Sequence, residues 1–309
     1  MRNVTLRQLQ IFVEASEARS FARAAERLRI SPAAVSFQIR QIEDLSGFAL
    51  FERIGKKVAP TDAGTALLAY ARTALQALTD ADTALTALRG GGGGRVTIGA
   101  ISTAKYLVPH MLARFQADYP GVAIHLRDGN RREIAEALAR GEIDLAVMGR
   151  PAETADLVAT PFAAHPSVVI AAPGHKLLAA PEMLPGALAA ERFIAREDGS
   201  GTRGLLDQIC REAGFAPRIA MTTSSNETIK QAVMAGMGIA LISRHTIVLE
   251  LSLGLVRTLP VAGFPLMRAW FVAHRRAMPL LPVHTRLRAF LLEQGQAVID
   301  GLERGYAAR

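Results

Sequence analysis

The sequence predicts an α+α/β protein in three parts: a small basic helical unit, one long helix, and a C-terminal α/β domain of two lobes. Three observations carry this. Residues 1–60 read as short helices holding ten Lys/Arg against six Asp/Glu. Leu67, Ala71, Ala74, Leu78, Ala81, Leu85 and Leu88 recur at alternating spacings of four and three, a heptad seam that suits a helix-helix contact in a dimer. From residue 95 onward strand and helix patterns alternate, as in a parallel βαβ sheet.

The whole-chain properties agree with this plan. With 309 residues, half of them hydrophobic and 21% charged, the chain can bury more than one core. Its longest apolar stretch, 232–243, is broken by two glycines and falls short of the roughly 18 residues that span a bilayer. The N-terminus carries charges throughout and lacks the pattern of an export signal, so the expected location is cytoplasmic, with no membrane partner. A single cysteine, Cys210, allows no internal disulfide and reads as a small buried residue on a helix. The net charge of +8 points to an anionic partner.

In the first unit, Ser20 is placed to cap a helix whose Ala24 and Ala25 let a second helix cross closely, with Leu28 turned inward. Ser31 caps the next helix, with Pro32 at the first position, where a missing N–H costs nothing. Val35, Ile39 and Ile42 form its buried stripe, which leaves Pro32, Ala33, Ser36, Phe37 and Arg40 on the exposed face. This is the spacing of a helix-turn-helix, whose second helix presents its N-terminal residues to base edges in the major groove. Arg53, Lys56 and Lys57 then fall on a turn between two extended pieces, a wing suited to lie along phosphates without reading sequence.

The long helix covers 61–89, and the glycines of 90–94 end it as a flexible hinge. After the hinge come strand 95–101, a helix, strand "VAIHLRDG", a helix, and the apolar strand 143–149. A second strand-helix set follows, then strand 268–276 and a long final helix. Two lobes result, lobe I at about 95–162 and 268–309 and lobe II at about 163–267. Ligands of such sheets sit beyond the carboxyl ends of the strands.

The stretch "LRQLQIFVEASEARSFARAAERLRISPAAVSFQIRQIEDLSGFALFERIGKKVAPTDAG" resembles the winged helix-turn-helix of LysR-type transcriptional regulators, and the resemblance runs to the end of the chain. It implies a periplasmic-binding-protein-like effector domain after the linker helix. Pro32-Ala33 stands where the family usually has Gln-Pro, and Phe37 where an Arg often follows the Ser. "AISTAKYLVP", "LRDGNRREI", "DLAVMGRP", "REDGSGTR", "SSNETIKQAVMAGMGIALISRHT" and "RAWFVAHR" are together similar to regulators of the RuBisCO (Calvin-cycle) operons of autotrophic bacteria, with Asp198 where those relatives often carry Pro. The resemblance implies a homodimer or homotetramer acting with RNA polymerase. It also implies double-stranded DNA bearing an interrupted palindrome, activation of carbon-fixation genes, and ribulose 1,5-bisphosphate or NADPH as effectors.

Four segments are expected to converge on the cleft between lobes: Ser102-Thr103, Gly149-Arg150, Ser200-Gly201-Thr202-Arg203 and Ser225-Asn226-Glu227, with Asn130 bordering it beside Arg131 and Arg132. Free N–H groups at helix starts, hydroxyl donors and an arginine suit a small anionic, phosphorylated effector. Ser102, Thr202 and Ser225 serve equally well as ordinary helix caps. An added carboxylate at Asp198 weakens such a site unless it points away or pairs with Arg203. No histidines stand at metal-ligand spacing, and no cofactor is expected; His165, His245 and His274 read as surface or packing residues. No nucleophile-base pair or matched carboxylates mark an enzyme. Alternatives are a LysR-type regulator of another operon sensing a different anion, and a cytoplasmic solute-binding protein.

Overall fold

The computed structural model describes residues 3–54, 57–88, 93–151 and 156–307, and the chain divides into two compact units, Met1–Leu85 and Thr86–Arg309. Each is described by itself.

In the first unit, hydroxyl residues start every helix of the triad. Thr5 caps α1 (Leu6–Ala18) in a reciprocal box with Gln8, Ser20 caps α2 (Phe21–Leu28), and Ser31 caps α3 (Pro32–Ser46). Their apolar stripes meet in one core of Ile11, Phe12, Ala24, Val35, Ile39, Ile42 and Leu50. Phe51 closes it, edge-on to the rings of Phe12 and Phe21. Strands β1 (Phe51–Ile54) and β2 (Lys57–Pro60) pair antiparallel, Phe51 opposite Pro60.

Helix α4 (Asp62–Leu88) is continuous. At its start a Cβ on Gly64 would lie 2.1 Å from the Leu50 carbonyl oxygen, so glycine is what lets α4 approach the wing. Leu67 and Ala71, the first residues of the heptad seam, pack into the core of their own unit, whereas Leu78 and Leu85 are exposed. The seam is therefore divided: its first turn is consumed inside the domain. Residues 89–92 lie outside the described residues, and Gly94, assigned to the hinge by sequence, instead opens β3.

The second unit begins with β3 (Gly94–Ile101), α5 (Val108–Asp118), β4 (Val122–Gly129), α6 (Arg131–Ala139) and β5 (Leu145–Met148), with β4 and β5 parallel to β3 on either side. Strand β6 (Leu157–Ala171) then leads to β7 (Arg192–Arg196), α7 (Gly201–Glu212), β8 (Arg218–Thr223), α8 (Asn226–Met234), β9 (Ala240–Ser243), α9 (Val248–Ser252) and β10 (Arg257–Thr258). Strand β11 (Leu266–Arg275) returns, and α10 (Pro282–Ala307) closes the chain.

The lobe borders expected at 162/163 and 267/268 fall inside β6 and β11. These two strands pair antiparallel from Leu266 opposite Ser167 to Arg275 opposite Leu157, with one register shift between Trp270 and Phe271. The lobes are thus joined by a two-stranded ribbon. Lobe I is cored by Ile98, Met111, Phe115, Leu145, Trp270, Leu287 and Phe290. In lobe II successive strand residues point to opposite faces: Phe193 and Leu241 meet Leu206 and Cys210, while Ile194 and Ile242 meet Ile229 and Val233. Burial there raises the Cys210 thiol to about 11, as for an inert core residue. No helix among the described residues is long and apolar enough to cross a membrane.

Candidate functional site

The exposed face of α3 is built by its cap. Ser31 accepts from the Ala34 N–H at 3.1 Å, which fixes where the helix starts. The buried stripe then turns Pro32, Ala33, Phe37 and Arg40 outward, with Ser36 half-buried. Phe37 is 57% exposed, an apolar side chain with no partner in its own core. Arg53 and Lys57 lie on the paired strands of the wing; Lys56 lies outside the described residues.

In the second unit a cleft of about 980 Å³ lies against both lobes and the ribbon. Of the predicted residues it is lined by Ser102, Thr103, Gly149, Arg150, Ser200, Gly201 and Thr202. Ser200, not Thr202, is the cap of α7: its hydroxyl accepts from the Thr202 N–H at 3.2 Å, and Thr202 is buried within the first turn. The positive end of the helix therefore opens toward the cleft.

Five predicted residues do not line the cleft, each for a stated reason. Asn130 caps α6, accepting from the Glu133 N–H at 3.0 Å. Arg203 is taken up by Asp207 at 3.0 Å and by the Arg196 carbonyl at 3.3 Å. Ser225 caps α8. Asn226, 1% exposed, is bound to Arg196 and to the Ser102 carbonyl. Glu227 accepts from the Tyr106 hydroxyl and pairs with Lys230 at 2.9 Å, facing a smaller pocket of about 300 Å³ that holds His245, Glu250 and Tyr306. Burial and the Glu227 carboxylate raise the Tyr106 hydroxyl far above its usual range. Asp198 points into solvent, 88% exposed and 3.8 Å from Arg203, and does not line the cleft.

Arg196, which the sequence reading passed over, organises this region. Only 3% exposed, its guanidinium donates to Asn226 and Ser102 at 2.8 Å and to both oxygens of Glu197. Burial works against the Glu197 charge, but the hydrogen bond and charge of Arg196 outweigh it and lower the carboxyl below its usual range. A second link between lobes runs from the Arg132 N–H to the Gly199 carbonyl at 3.3 Å.

At the floor of the cleft, Arg131 stands where the sequence placed it, whereas the part played by His165 and Arg268 was missed. Arg131, His165 and Arg268 line it beside Arg150, and no carboxylate appears among its described lining residues. Arg131 donates to the Arg150 carbonyl at 2.8 Å, and the Arg150 guanidinium lies 5.8 Å from the Phe271 ring centre. His165 is a packing residue, as expected, stacked on Trp270 at 3.7 Å; it is also a wall of the cleft. Burial, together with the charges of Arg268 and His245, holds it neutral, well below the usual imidazole range. Burial likewise works against the charge of Arg268, with Arg131 adding to the effect. Arrays of this kind bind anions through charge-assisted hydrogen bonds. No group of three or more His, Cys, Asp or Glu suited to a metal occurs among the described residues.

Residues 6–65 match the family described as bacterial regulatory helix-turn-helix protein, lysR family, and residues 89–296 match the LysR substrate binding domain. The chain is 46% identical over 293 residues to the HTH-type transcriptional regulator CfxR of Cupriavidus necator, covering 95% of this chain and 92% of that one. It is 39% identical over 292 residues to the RuBisCO operon transcriptional regulator of Allochromatium vinosum, covering 94% and 97%. Among solved structures, the regulatory domain of CcmR from Synechocystis PCC6803, in complex with 2-PG, superposes with a TM-score of 0.62 at 35% identity, covering 65% of this chain and 96% of that one.

Proposed function

The chain belongs to the LysR family of bacterial transcriptional regulators, and from that premise we propose that it activates carbon-fixation genes when a phosphorylated metabolite occupies the cleft between its lobes. One observation carries the effector half of this reading. Arg131, Arg150 and Arg268 meet the open N-terminus of α7 in a cleft without a carboxylate among its described lining residues. The N–H groups and positive end of a helix already favour a phosphate, and three guanidinium groups add the charge. The relative named for a RuBisCO operon supports the regulon, and the CcmR complex with 2-PG (2-phosphoglycolate) supports the ligand class.

In this reading Ser102 and Thr103 donate to the ligand from lobe I while Ser200, Gly201 and Thr202 present α7 from lobe II. The Ser102 oxygen accepts from Arg196, which leaves its O–H available to an anion. A ligand that binds one lobe arrangement better shifts the equilibrium by that difference and no more. Pro32, Ala33, Ser36 and Phe37 meet base edges, and Arg40, further along the exposed face of α3, lies along the phosphate backbone with Arg53, Lys56 and Lys57. The protein acts in the cytoplasm as a homodimer or homotetramer on an interrupted palindrome, in concert with RNA polymerase, and catalyses nothing.

The test pairs two measurements on the full chain. Thermal melts with 2-phosphoglycolate, ribulose 1,5-bisphosphate, NADPH and unphosphorylated carboxylates should show a raised midpoint for a phosphorylated ligand, since only the folded state binds it. Gel-shift titrations on DNA upstream of RuBisCO genes, with random DNA as competitor, should show specific binding that the same ligand alters. No midpoint shift with any phosphorylated ligand, or no preference for that DNA, overturns the proposal.

A further inference from the structure

At the floor of the cleft, buried polar atoms are left without a hydrogen-bond partner. Both ring nitrogens of His165 and the Nε of Arg268 are buried without a hydrogen-bond partner. His165 is only 1% exposed. Buried polar groups left unpaired cost free energy, so a native fold that keeps several together calls for an explanation.

The sheet register places them side by side. Arg268 on β11 is the direct partner of His165 on β6, so both project from one face of the ribbon. Trp270 follows two residues along β11 on that face and stacks against His165 with ring planes 14° apart. Ser167, two residues along β6, receives one Nη of Arg268 at 3.3 Å. The imidazole is thus locked between Trp270 and the cleft. The charged and titratable groups around it are Arg268, the cleft guanidiniums of Arg131 and Arg150, and His245, which itself neighbours Glu303. An anion entering here supplies the acceptor that the Arg268 Nε–H and a His165 N–H lack.

We propose that His165 and Arg268 form a second anion subsite on the β6–β11 ribbon, separate from the N-terminus of α7, so that the cleft selects a small molecule with an anionic group at each end. The inference rests on the reading of the cleft as a phosphorylated-effector site and specifies what that effector carries. A single phosphate engages α7 and leaves the ribbon groups unpaired. The cleft, at about 980 Å³, is of the size that takes a whole small molecule rather than one ion. Because α7 belongs to lobe II and the ribbon joins both lobes, a two-ended ligand sets the position of one against the other.

Trp270 is the single tryptophan of the chain, so its emission reports this subsite directly. The full-length protein and its Arg268→Gln and His165→Phe variants, the latter keeping an aromatic ring on Trp270, are titrated with 2-phosphoglycolate and with methyl phosphate. Fluorescence and calorimetry are both read, with thermal melts to verify folding. The wild type should bind the two-ended ligand at least about tenfold more tightly and change its Trp270 emission with that ligand. Each variant should lose about ten- to a hundredfold in affinity for 2-phosphoglycolate, the loss of one charge-assisted hydrogen bond, while methyl phosphate stays within about twofold. Unchanged 2-phosphoglycolate binding in both variants, or an equal loss for both ligands, overturns the second subsite and leaves the effector reading standing. A wild type that binds neither of these, nor ribulose 1,5-bisphosphate, nor NADPH, overturns the effector reading itself.

Discussion

The Arg196 guanidinium in lobe II donates to the Ser102 hydroxyl in lobe I at 2.8 Å, and Asn226 returns a bond to the Ser102 carbonyl at 3.0 Å. The same serine lines the cleft. One residue therefore belongs both to the candidate ligand site and to the contact that sets how the lobes meet, so that a group bound at Ser102 acts on the lobe contact without any longer relay.

Ser102→Ala should weaken that contact measurably but not unfold the domain. It removes one acceptor, while the Arg196 Nη2 keeps Glu197 at 3.0 Å, so a cost of about 1–2 kcal/mol is expected. For a domain of this size that is a fall of roughly 2–8 °C in melting temperature. Arg196→Ala is more severe, because it strands the half-buried Glu197 carboxylate and the buried Asn226; the cost should exceed that of Ser102→Ala and approach the roughly 3 kcal/mol at the low end for breaking a buried charge pair. Calorimetric melts of the two variants check the order, and equal stabilities would refute this account of the Arg196–Ser102 contact.

Gly149→Ala should separate folding from binding. A Cβ there meets no heavy atom within 4 Å, yet the residue lines the cleft. The melting temperature should stay within about 2 °C of wild type, since surface changes away from packing are worth less than about 0.5 kcal/mol. Affinity for 2-phosphoglycolate should fall, as the methyl group occupies ligand space. Equal affinity in a calorimetric titration would move the ligand away from Gly149.

What could be read in the sequence was what is encoded locally. Ser20 and Ser31 announce their helices within three residues, and Ala24 and Ala25 announce the close crossing, because caps and small residues act on their immediate neighbours. The α/β alternation was legible for the same reason. Arg196 was not: its role depends on Asn226, thirty positions on, and on Ser102 in the other lobe. The pairing of His165 with Arg268 needed the register of β6 and β11, which no pattern within either strand specifies. Arg203 looked free because nothing in "GSGTR" shows that Asp207, one helical turn later, takes its guanidinium. The division of the heptad seam was hidden similarly, since Leu67 and Leu78 differ only in what lies opposite them.

Acid should destabilise the effector domain through His245. Burial lowers this imidazole to about 4, although Glu303 pulls the other way. Its Nδ1 accepts from the Trp270 indole N–H at 3.1 Å, a bond that a protonated ring cannot accept. Unfolded, the group titrates near 6.5. Below that pH the unfolded chain gains a proton the folded one refuses, so stability is lost as pH falls from about 6.5 to about 4. The loss is up to about 3 kcal/mol. His245→Asn should flatten this part of the stability-pH curve in denaturant titrations; an unchanged slope would show that His245 does not carry it.

Arg40→Ala and Phe37→Ala should fail in different ways on DNA. Both side chains stand exposed on the α3 face that Ser31 and the Val35-Ile39-Ile42 stripe turn outward. An arginine that meets phosphate contributes equally on every sequence, so its removal should weaken specific and random DNA alike and reduce the salt slope by about 1. Phe37, 57% exposed, has no charge to give and can contribute only by apolar contact, as with a thymine methyl group. Its loss should leave the salt slope intact and cost specific binding alone about 1–3 kcal/mol, the usual worth of one base contact. Fluorescence anisotropy at several salt concentrations measures both effects. If Arg40→Ala lowers specific binding with no change in slope, Arg40 reads a base edge and the phosphate contacts of this helix lie elsewhere.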